Sequence, residues 1–148
     1  ERVGDLIENI AFALEGIDFS LAGFEKYKKP IDKMFVQTDK MLKNALFAFT
    51  GVSNEMAYDT IQMDDKVDKL ERKIERQLAE DFQNEVQSSQ SLVNIMNLNS
   101  ISYYLERIGD KAVDIAESAV YVIEGRDVRH VKESKKPVAG EKSGDEAR

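Results

Sequence analysis

The sequence predicts an all-α protein whose central unit is an antiparallel three-helix bundle, and three observations carry this prediction. The chain of 148 residues contains only 2 Pro and 8 Gly, a composition that suits long helices better than a turn-rich β fold. Apolar residues recur at spacings of three and four along four stretches of the chain. The connections between these stretches are short, and short connections place successive helices antiparallel.

The first predicted helix covers residues 1–15, and the second begins near Pro30. Proline suits the first position of a helix, where its missing N–H is not needed, and Gly51 stands where a C-terminal cap is expected. The residues predicted to face the core in the first helix are Val3, Ile7, Ile10, Leu14 and Ile17. Those of the second helix are Ile31, Met34, Phe35, Met41, Leu42, Ala45, Leu46 and Phe49.

Two further helices complete the predicted bundle. Ser53 or Asn54 can cap the third helix, which should end near Phe82. Its core-facing residues are predicted to be Met56, Met63, Val67, Leu70 and Ile74. The polar segment of residues 84–91 is either the break before the fourth helix or its start, and this helix should stop at Gly125. Its core-facing residues are predicted to be Ile101, Leu105, Ile108, Ala112, Ile115, Ala119 and Val122.

The composition excludes several classes of function. The chain has no Cys, which removes disulfides, thiolate metal sites and cysteine nucleophiles and fits the cytoplasm, and its single His is His130. The net charge of −7 argues against a general nucleic-acid binder, whose surface is basic. No apolar run approaches the roughly 20 residues that span a membrane. Because the chain opens on Glu1 without an apolar signal segment, we expect the numbering to start inside a longer open reading frame.

Part of the fourth helix repeats the start of the chain. Residues 106–116 read ERIGDKAVDIA, residues 1–11 read ERVGDLIENIA, and six of the eleven positions are identical. Two helices that each carry an apolar seam, meaning a row of core-facing apolar residues, do not need Glu, Arg, Gly and Asp in the same order. We therefore expect residues 1–23 to be the last helix of a preceding bundle, residues 24–125 to form a complete bundle, and residues 126–148 to be a mobile charged tail.

Acidic residues form a stripe beside the core on each of two neighbouring helices. Glu106 and Asp110 are four residues apart on the fourth helix, so they lie on one face. Arg107 should pair with a carboxylate of a neighbouring helix. The stripe of the third helix consists of Asp64, Asp68, Glu71 and Glu75. If the two stripes share one surface, they offer only oxygen ligands, which hard cations such as Mg²⁺, Mn²⁺ or oxidised iron prefer.

The alternative is that both stripes are ordinary solvated faces. Charged residues make up 33% of the chain, and acids at a spacing of four are common in such a composition. For Glu106 and Asp110 the repeat argues against this alternative, because Glu1 and Asp5 keep the same spacing. Gly109 argues against it too, since glycine in mid-helix costs about 1 kcal/mol relative to alanine unless close backbone approach requires it.

The segment ERIGDKAVDIAESA, with the apolar NIMNLNSISYYL before it, resembles the signature helix of the PhoU family of phosphate-transport regulators. The upstream DDKVDKLERKIE resembles the family's second-helix pattern, and the similarity covers about residues 1–125. In that family two three-helix bundles repeat in tandem, and the carboxylates of the motif bind multinuclear metal clusters. The resemblance implies a cluster of iron, with zinc, manganese, magnesium and nickel as alternatives. The implied ligands are Glu106, Asp110, Asp64, Asp68 and Glu71, with Glu1 and Asp5 as the pair of the other bundle.

The resemblance also implies a regulator without enzymatic activity. Members of the family repress phosphate-starvation signalling and restrain phosphate uptake by contacting a sensor histidine kinase and the ATPase of a phosphate transporter. Similar domains are appended to sodium/phosphate cotransporters, so the membrane domain of a transporter is an alternative partner. We expect a cytoplasmic homodimer that contacts no nucleic acid and does not insert into the membrane.

Two other classes of protein stay open. A carboxylate-bridged metal oxidase or hydrolase is one, but the di-iron bundles that carry out oxygen chemistry use Glu-x-x-His motifs, and none occurs in the predicted helices. A purely structural bundle that holds no metal is the other. Elemental analysis of protein purified without chelator separates the metal-binding classes from the structural one.

Overall fold

The computed structural model describes residues 1–21, 23–84 and 88–128, and in these ranges the chain forms four α-helices and no strand. Helix α1 spans Arg2–Glu15, α2 spans Glu25–Gly51, α3 spans Asn54–Asn84 and α4 spans Ser89–Glu124. The predicted all-α bundle is confirmed. None of the helices in the described part of the chain is both long and apolar enough to cross a membrane.

Helix α4 is the central element of the fold. It contacts each of the other three helices, whereas α1, over the residues described, contacts α4 alone. Helices α2 and α3 pack against α4 and against each other, which gives the three-helix bundle. The 36 residues of α4 extend about 54 Å. Helix α4 is therefore long enough to contact both α1 and the α2–α3 pair. The core between α2, α3 and α4 is filled by Met34, Met41, Val67, Ile74, Leu105 and Ala112.

Helix α2 begins five residues before the predicted start, so the prediction that Pro30 opens the helix is wrong. Pro30 lies in the second turn, where it removes the N–H that would bond to the carbonyl of Lys26. Contacts with α3 stabilise the first turn of α2 instead. Tyr27 is buried and donates its hydroxyl hydrogen bond to Asp81 of α3, and Lys26 donates to the same carboxylate. These tertiary contacts stabilise a turn that local sequence disfavours.

The junction between α2 and α3 also differs from the prediction. Gly51 is the last helical residue rather than the cap, and Val52 adopts the left-handed conformation with φ 54° and ψ 52°. The N–H groups of Val52 and Ser53 both bond to the carbonyl of Ala48, and this closure places the left-handed residue one position after the glycine. A β-branched residue is strained there. The predicted cap of α3 is confirmed, because the N–H of Met56 bonds to Ser53 Oγ at 3.4 Å.

Helix α4 begins and ends as the sequence indicates. Ser88 caps its N-terminus by accepting a hydrogen bond from the N–H of Ser91, and Gly125 ends it in the left-handed conformation with φ 65°. The predicted core-facing residues Ile101, Leu105, Ile108, Ala112 and Ala119 are buried. Val122 is exposed, because it lies in the last turn of the helix.

The apolar stripe of α2 is wider than the surface that covers it. Met34, Met41 and Ala45 are buried as predicted, but Phe35, Leu46 and Phe49 are exposed in the described structure, and Thr38 is buried in their place. Ala48 is fully buried as well. The spacing of apolar residues indicates a helix, yet only the face that meets α3 and α4 becomes core.

Helix α1 matches the predicted span of residues 1–15, but little of its apolar surface is covered. Ala13 is its one buried residue, and Ile17 just beyond the helix is buried too. Ile7 and Leu14, both predicted to face the core, are 54% and 44% exposed. This follows from the packing, because among the described residues α1 has a single helical neighbour.

Arg126 and Val128, at the start of the predicted tail, contact the bundle. Arg126 donates to the hydroxyl of Tyr58 at 3.0 Å and pairs with Glu124 at 3.0 Å, and Val128 is buried. Residues 129–148, which include His130, lie outside the described residues. The division of the chain into domains stays a prediction.

Candidate functional site

Five of the predicted site residues lie along the edge between α3 and α4. Asp64, Asp68 and Glu71 are on α3, Glu106 and Asp110 are on α4, and all five are partly buried. The two helices are packed against each other. The five carboxylates therefore flank one helix–helix interface.

The helical register explains this placement. Val67 on α3 and Leu105 on α4 are buried, and each is followed by an acidic residue about 100° further around its helix. A residue in that position lies at the rim of the interface, partly shielded by the neighbouring helix. Exposure of the acidic side chains is thus limited by the same packing that buries the apolar seam.

Glu106 is the carboxyl group of this edge whose pKa is shifted most. Burial, and then the nearby charges of Asp110 and Glu71, raise the pKa of Glu106 to about 7, while Arg107 opposes the shift. A pKa near 7 means that Glu106 holds a proton about half of the time at neutral pH. The carboxylates of α3 and α4 are close enough to disfavour one another's ionisation.

Two more carboxyl groups respond in the same direction. Burial, together with the charge of Asp64 on α3, raises the pKa of Asp110. Burial, followed by the charges of Glu75 and Asp68 and with a contribution from Asp110, raises the pKa of Glu71. The coupling therefore runs both along α3 and across to α4.

Ion pairs within each helix offset part of this repulsion. Arg72 pairs with Asp68 at 2.8 Å, and Arg107 pairs with Asp110 at 3.0 Å. The prediction that Arg107 pairs with a neighbouring helix is wrong, because its partner is three residues away on α4. At that spacing a side chain meets its own helix neighbour without crossing the interface. Asp114, next on the same helix, pairs with Lys111 at 2.7 Å.

The donor chemistry of the site fits a hard cation. The side chains supply carboxylate oxygens only, and a cation between them would relieve the repulsion that, together with burial, raises the pKa values of Glu71, Glu106 and Asp110. Within the described ranges no three acidic or His side chains are arranged closely enough to hold a metal ion. Asp68 and Asp110 would have to exchange their arginine partners for the metal. The predicted ligand set stays a prediction.

Glu1 and Asp5 are not brought to this surface. Both are exposed at the start of α1, which in the described structure is not in contact with α3. They are separate from the five carboxylates, and their assignment to the motif of another bundle stays a prediction.

Gly109 is not explained by close helix approach. A Cβ added to it would lie 3.6 Å from Met41 Cε and 3.6 Å from Val67 Cγ1, which is ordinary van der Waals contact. The expectation that this glycine permits a tight backbone contact is therefore wrong. Alanine would fit at this position.

Asp81 is a buried carboxylate that was not predicted as a functional residue, and it connects α3 to the first turn of α2. Asp81, 5% exposed, accepts hydrogen bonds from Lys26 and from the Tyr27 hydroxyl. Burial raises the pKa of Asp81, but the hydrogen bonds from Lys26 and Tyr27 outweigh it and hold the pKa below its usual value. The signal was present in the sequence, because Asp81 continues the spacing of Ile74 and Leu78.

Asn94 is a second missed residue, and it fixes the segment that follows α1. Its amide is fully buried, accepts the N–H of Asp18 at 2.9 Å and donates to the carbonyl of Asp18 at 2.8 Å. Gln90, one turn earlier, donates to the carbonyl of Gly16 at 3.2 Å. Asn94 lies seven residues before Ile101, so the spacing of the apolar residues assigns it to a core-facing position of α4. A polar residue at such a position could have indicated its role.

Comparisons with known proteins agree with this architecture. The family model of the PhoU domain matches residues 31–119. The phosphate-specific transport system accessory protein PhoU homolog 1 of Thermotoga maritima is 32% identical over 130 residues, 87% of this chain and 54% of the relative. The protein of the same name from Methanothermobacter thermautotrophicus is 32% identical over 126 residues, 83% of this chain and 54% of the relative. Escherichia coli PhoU is 28% identical over 135 residues, 88% of this chain and 52% of the relative.

The chain spans about half the length of these curated relatives. No solved structure matches it. The match to the domain model covers most of the three-helix bundle, including the motif that begins at Glu106. The chain belongs to the PhoU family.

Proposed function

We propose that this chain is a metal-binding regulatory part of a phosphate-transport accessory protein, and that it works without catalysing a reaction. The observation that carries the proposal is the group of five partly buried carboxylates along the α3–α4 edge, where burial and then repulsion from Asp110 and Glu71 raise the pKa of Glu106 to about 7. Repulsion of this kind is offset by a bound cation. A multinuclear cluster, with iron as the first candidate, is the proposed occupant.

The position of the carboxylates favours binding over turnover. They lie at the rim of two long helices rather than in an enclosed cleft, so water has access to anything bound there. Catalysis by a metal cluster generally requires a shaped site that excludes water. We therefore propose that metal at this surface changes how strongly the protein binds its protein partners and that it does not catalyse hydrolysis.

Protein partners follow from the relatives. Their names describe accessory proteins of a phosphate-specific transport system. For this chain we propose a cytoplasmic homodimer that contacts a transporter ATPase and a sensor histidine kinase, with the membrane domain of a transporter as the alternative partner. Metal would then set the affinity of these contacts.

Elemental analysis of the full chain purified without chelator tests the metal proposal. The variant is Glu106→Ala with Asp110→Ala, and the matched control is Glu55→Ala with Asp59→Ala, an exposed pair with the same spacing on α3. We expect metal in the wild type and in the control but loss of metal in the variant, with unchanged helical circular dichroism in all three. Metal-free wild-type protein, or equal metal content in the variant, would contradict the proposal.

The other classes have their own outcomes in this experiment. Wild-type protein that takes up none of iron, zinc, manganese, magnesium or nickel would favour a purely structural bundle. Hydrolysis of a phosphate ester by metal-loaded wild type, lost in the Glu106 and Asp110 variant but kept in the control, would favour an enzyme.

A further inference from the structure

A groove of about 820 Å³ runs along the outer surface between α2 and α3, on the flank of α3 away from the carboxylates. On the α2 side it is lined from Glu25 to Gln37, about 18 Å along the helix. We call it the lysine groove, because its rims carry Lys28, Lys29, Lys33, Lys66, Lys69 and Lys73.

The charge of the lysine groove is opposite to that of the molecule. The chain has a net charge of −7, yet six lysines line this groove against two carboxylates, Glu25 and Asp32. None of the six lysines is within ion-pair distance of a carboxylate in the ranges that the structure describes. Even Lys69, four residues after Asp65, makes no such pair. A concentration of uncompensated positive charge favours an anionic ligand.

The floor of the groove is apolar, and its shape is elongated. Leu70, which is partly buried, lines it on the α3 side, whereas Val36 is 64% exposed and shares the outer face of α2 with Lys29 and Lys33. An adjoining hollow of about 430 Å³ continues the groove past Pro30 and Ile74. Lysines at 66, 69 and 73 follow one face of α3, while Lys29 and Lys33 follow one face of α2. The two rows of lysines, with apolar surface between them, are complementary in charge and polarity to a helix whose apolar stripe is flanked by acidic residues.

We propose that the lysine groove is the docking site for an acidic amphipathic helix of a protein partner, packed between α2 and α3. The proposal deepens the proposed function, because it names the surface by which this regulator holds a partner. Apolar side chains of the partner pack over Leu70 and against Val36, and its Glu or Asp residues pair with the lysines of both rims. The apolar floor distinguishes this ligand from a nucleic acid, whose phosphates would leave the floor uncovered.

Fluorescence anisotropy with the full chain and designed peptides tests this docking site. The probe is a labelled peptide of about 14 residues with Leu along one helical face and Glu on both flanks. One comparison peptide replaces each Glu by Gln, and another replaces each Leu by Ser. A single-stranded oligonucleotide of similar length is the polyanion comparison. All measurements are made in chelator, so that they are independent of the metal proposal.

The groove variant is Lys69→Gln with Lys73→Gln, and the control is Lys40→Gln with Lys43→Gln on the exposed part of α2 beyond the groove. Both variants lose two positive charges. We expect the groove variant to bind the acidic peptide about 2- to 30-fold more weakly, because each exposed ion pair contributes roughly 0.2–1 kcal/mol. The control should bind as the wild type does, and both comparison peptides should bind more weakly than the probe.

Three results would overturn the docking proposal. The first is no binding of the acidic peptide by the wild type. The second is equal binding of the oligonucleotide and of the peptide without Leu, which indicates a general polyanion site. The third is a wild-type oligomer that the groove variant alone loses, which indicates that a second copy of this chain covers the groove. Because chelator is present throughout, none of these results depends on whether Glu106 and Asp110 bind metal.

Discussion

Replacement of Asp81 by Ala should destabilise the bundle more than any loss of an exposed acid does. Asp81 is on α3, 5% exposed, and it accepts hydrogen bonds from two residues in the first turn of α2. One is the ammonium of Lys26 at 2.9 Å, and the other is the hydroxyl of Tyr27, whose side chain is 1% exposed. The substitution removes the acceptor of both bonds.

The two lost bonds are unequal in their cost. The Tyr27 hydroxyl is buried, and a buried donor that loses its acceptor costs about 1–3 kcal/mol. The Lys26 side chain is 38% exposed, so its ammonium regains water and this pair contributes under about 1 kcal/mol. We expect Asp81→Ala to lower the free energy of unfolding by about 2–3 kcal/mol. The first turn of α2, which Pro30 already weakens, should fray first.

Chemical denaturation followed by circular dichroism measures this change. Asp39→Ala is the control, because Asp39 pairs with Lys43 at 2.7 Å on the surface, and this variant should lose no more than about 1 kcal/mol. Tyr27→Phe and the double variant complete a thermodynamic cycle, which should give a coupling energy of about 1–2 kcal/mol between Asp81 and Tyr27. Equal stability of Asp81→Ala and Asp39→Ala, or a coupling energy near zero, would refute the reasoning.

The same contacts predict how the effect depends on pH. The folded pKa of Asp81 is below its unfolded value of about 4, because its hydrogen bonds outweigh burial. A depressed carboxyl pKa contributes stability that is fully present above the unfolded pKa and is lost as pH falls through the folded pKa. The difference between the wild type and Asp81→Ala should therefore be constant from about pH 5 to 7 and shrink below about pH 4. A difference that grows on acidification would contradict this sign.

Three further substitutions test the backbone and packing conclusions by the same unfolding measurement. Gly109→Ala should stabilise the chain by about 1 kcal/mol, because a Cβ there makes ordinary contacts and alanine favours the helix; a loss of stability would mean that this site needs glycine. Val52→Gly should stabilise it by about 0.5–1 kcal/mol by removing left-handed strain from an exposed valine, and a destabilised variant would contradict that strain. Asn94→Ala should cost about 1–3 kcal/mol and speed amide exchange at Asp18, whereas unchanged exchange would show that Asn94 does not hold this segment.

Helical register placed the candidate carboxylates correctly beside the core, but it did not reveal their partners. The position one residue past a buried seam is enough to put Asp68 and Glu106 at the rim of α3 and α4. Whether Arg107 meets α3 or its own helix depends on side-chain rotamers, which spacing alone does not specify. Asp81 and Asn94 were missed for a different reason. Each occupies a core position in the seam, and a polar residue there resembles the end of an apolar pattern until its buried partners are known.

The sequence by itself determined the helical class, the four helices of the described ranges and the cap at Gly125, because these depend on local periodicity and on backbone conformations that few residues adopt. Tertiary structure decided which apolar faces are covered. Leu105 and Ile7 both belong to regular seams, yet only the first is buried, since α4 has neighbours on several sides and α1, as far as the structure describes, has one. Tertiary structure also moved the start of α2 ahead of Pro30. Local propensity disfavours helix there, but contacts to Asp81, 54 residues away from Tyr27 in sequence, supply the compensating free energy.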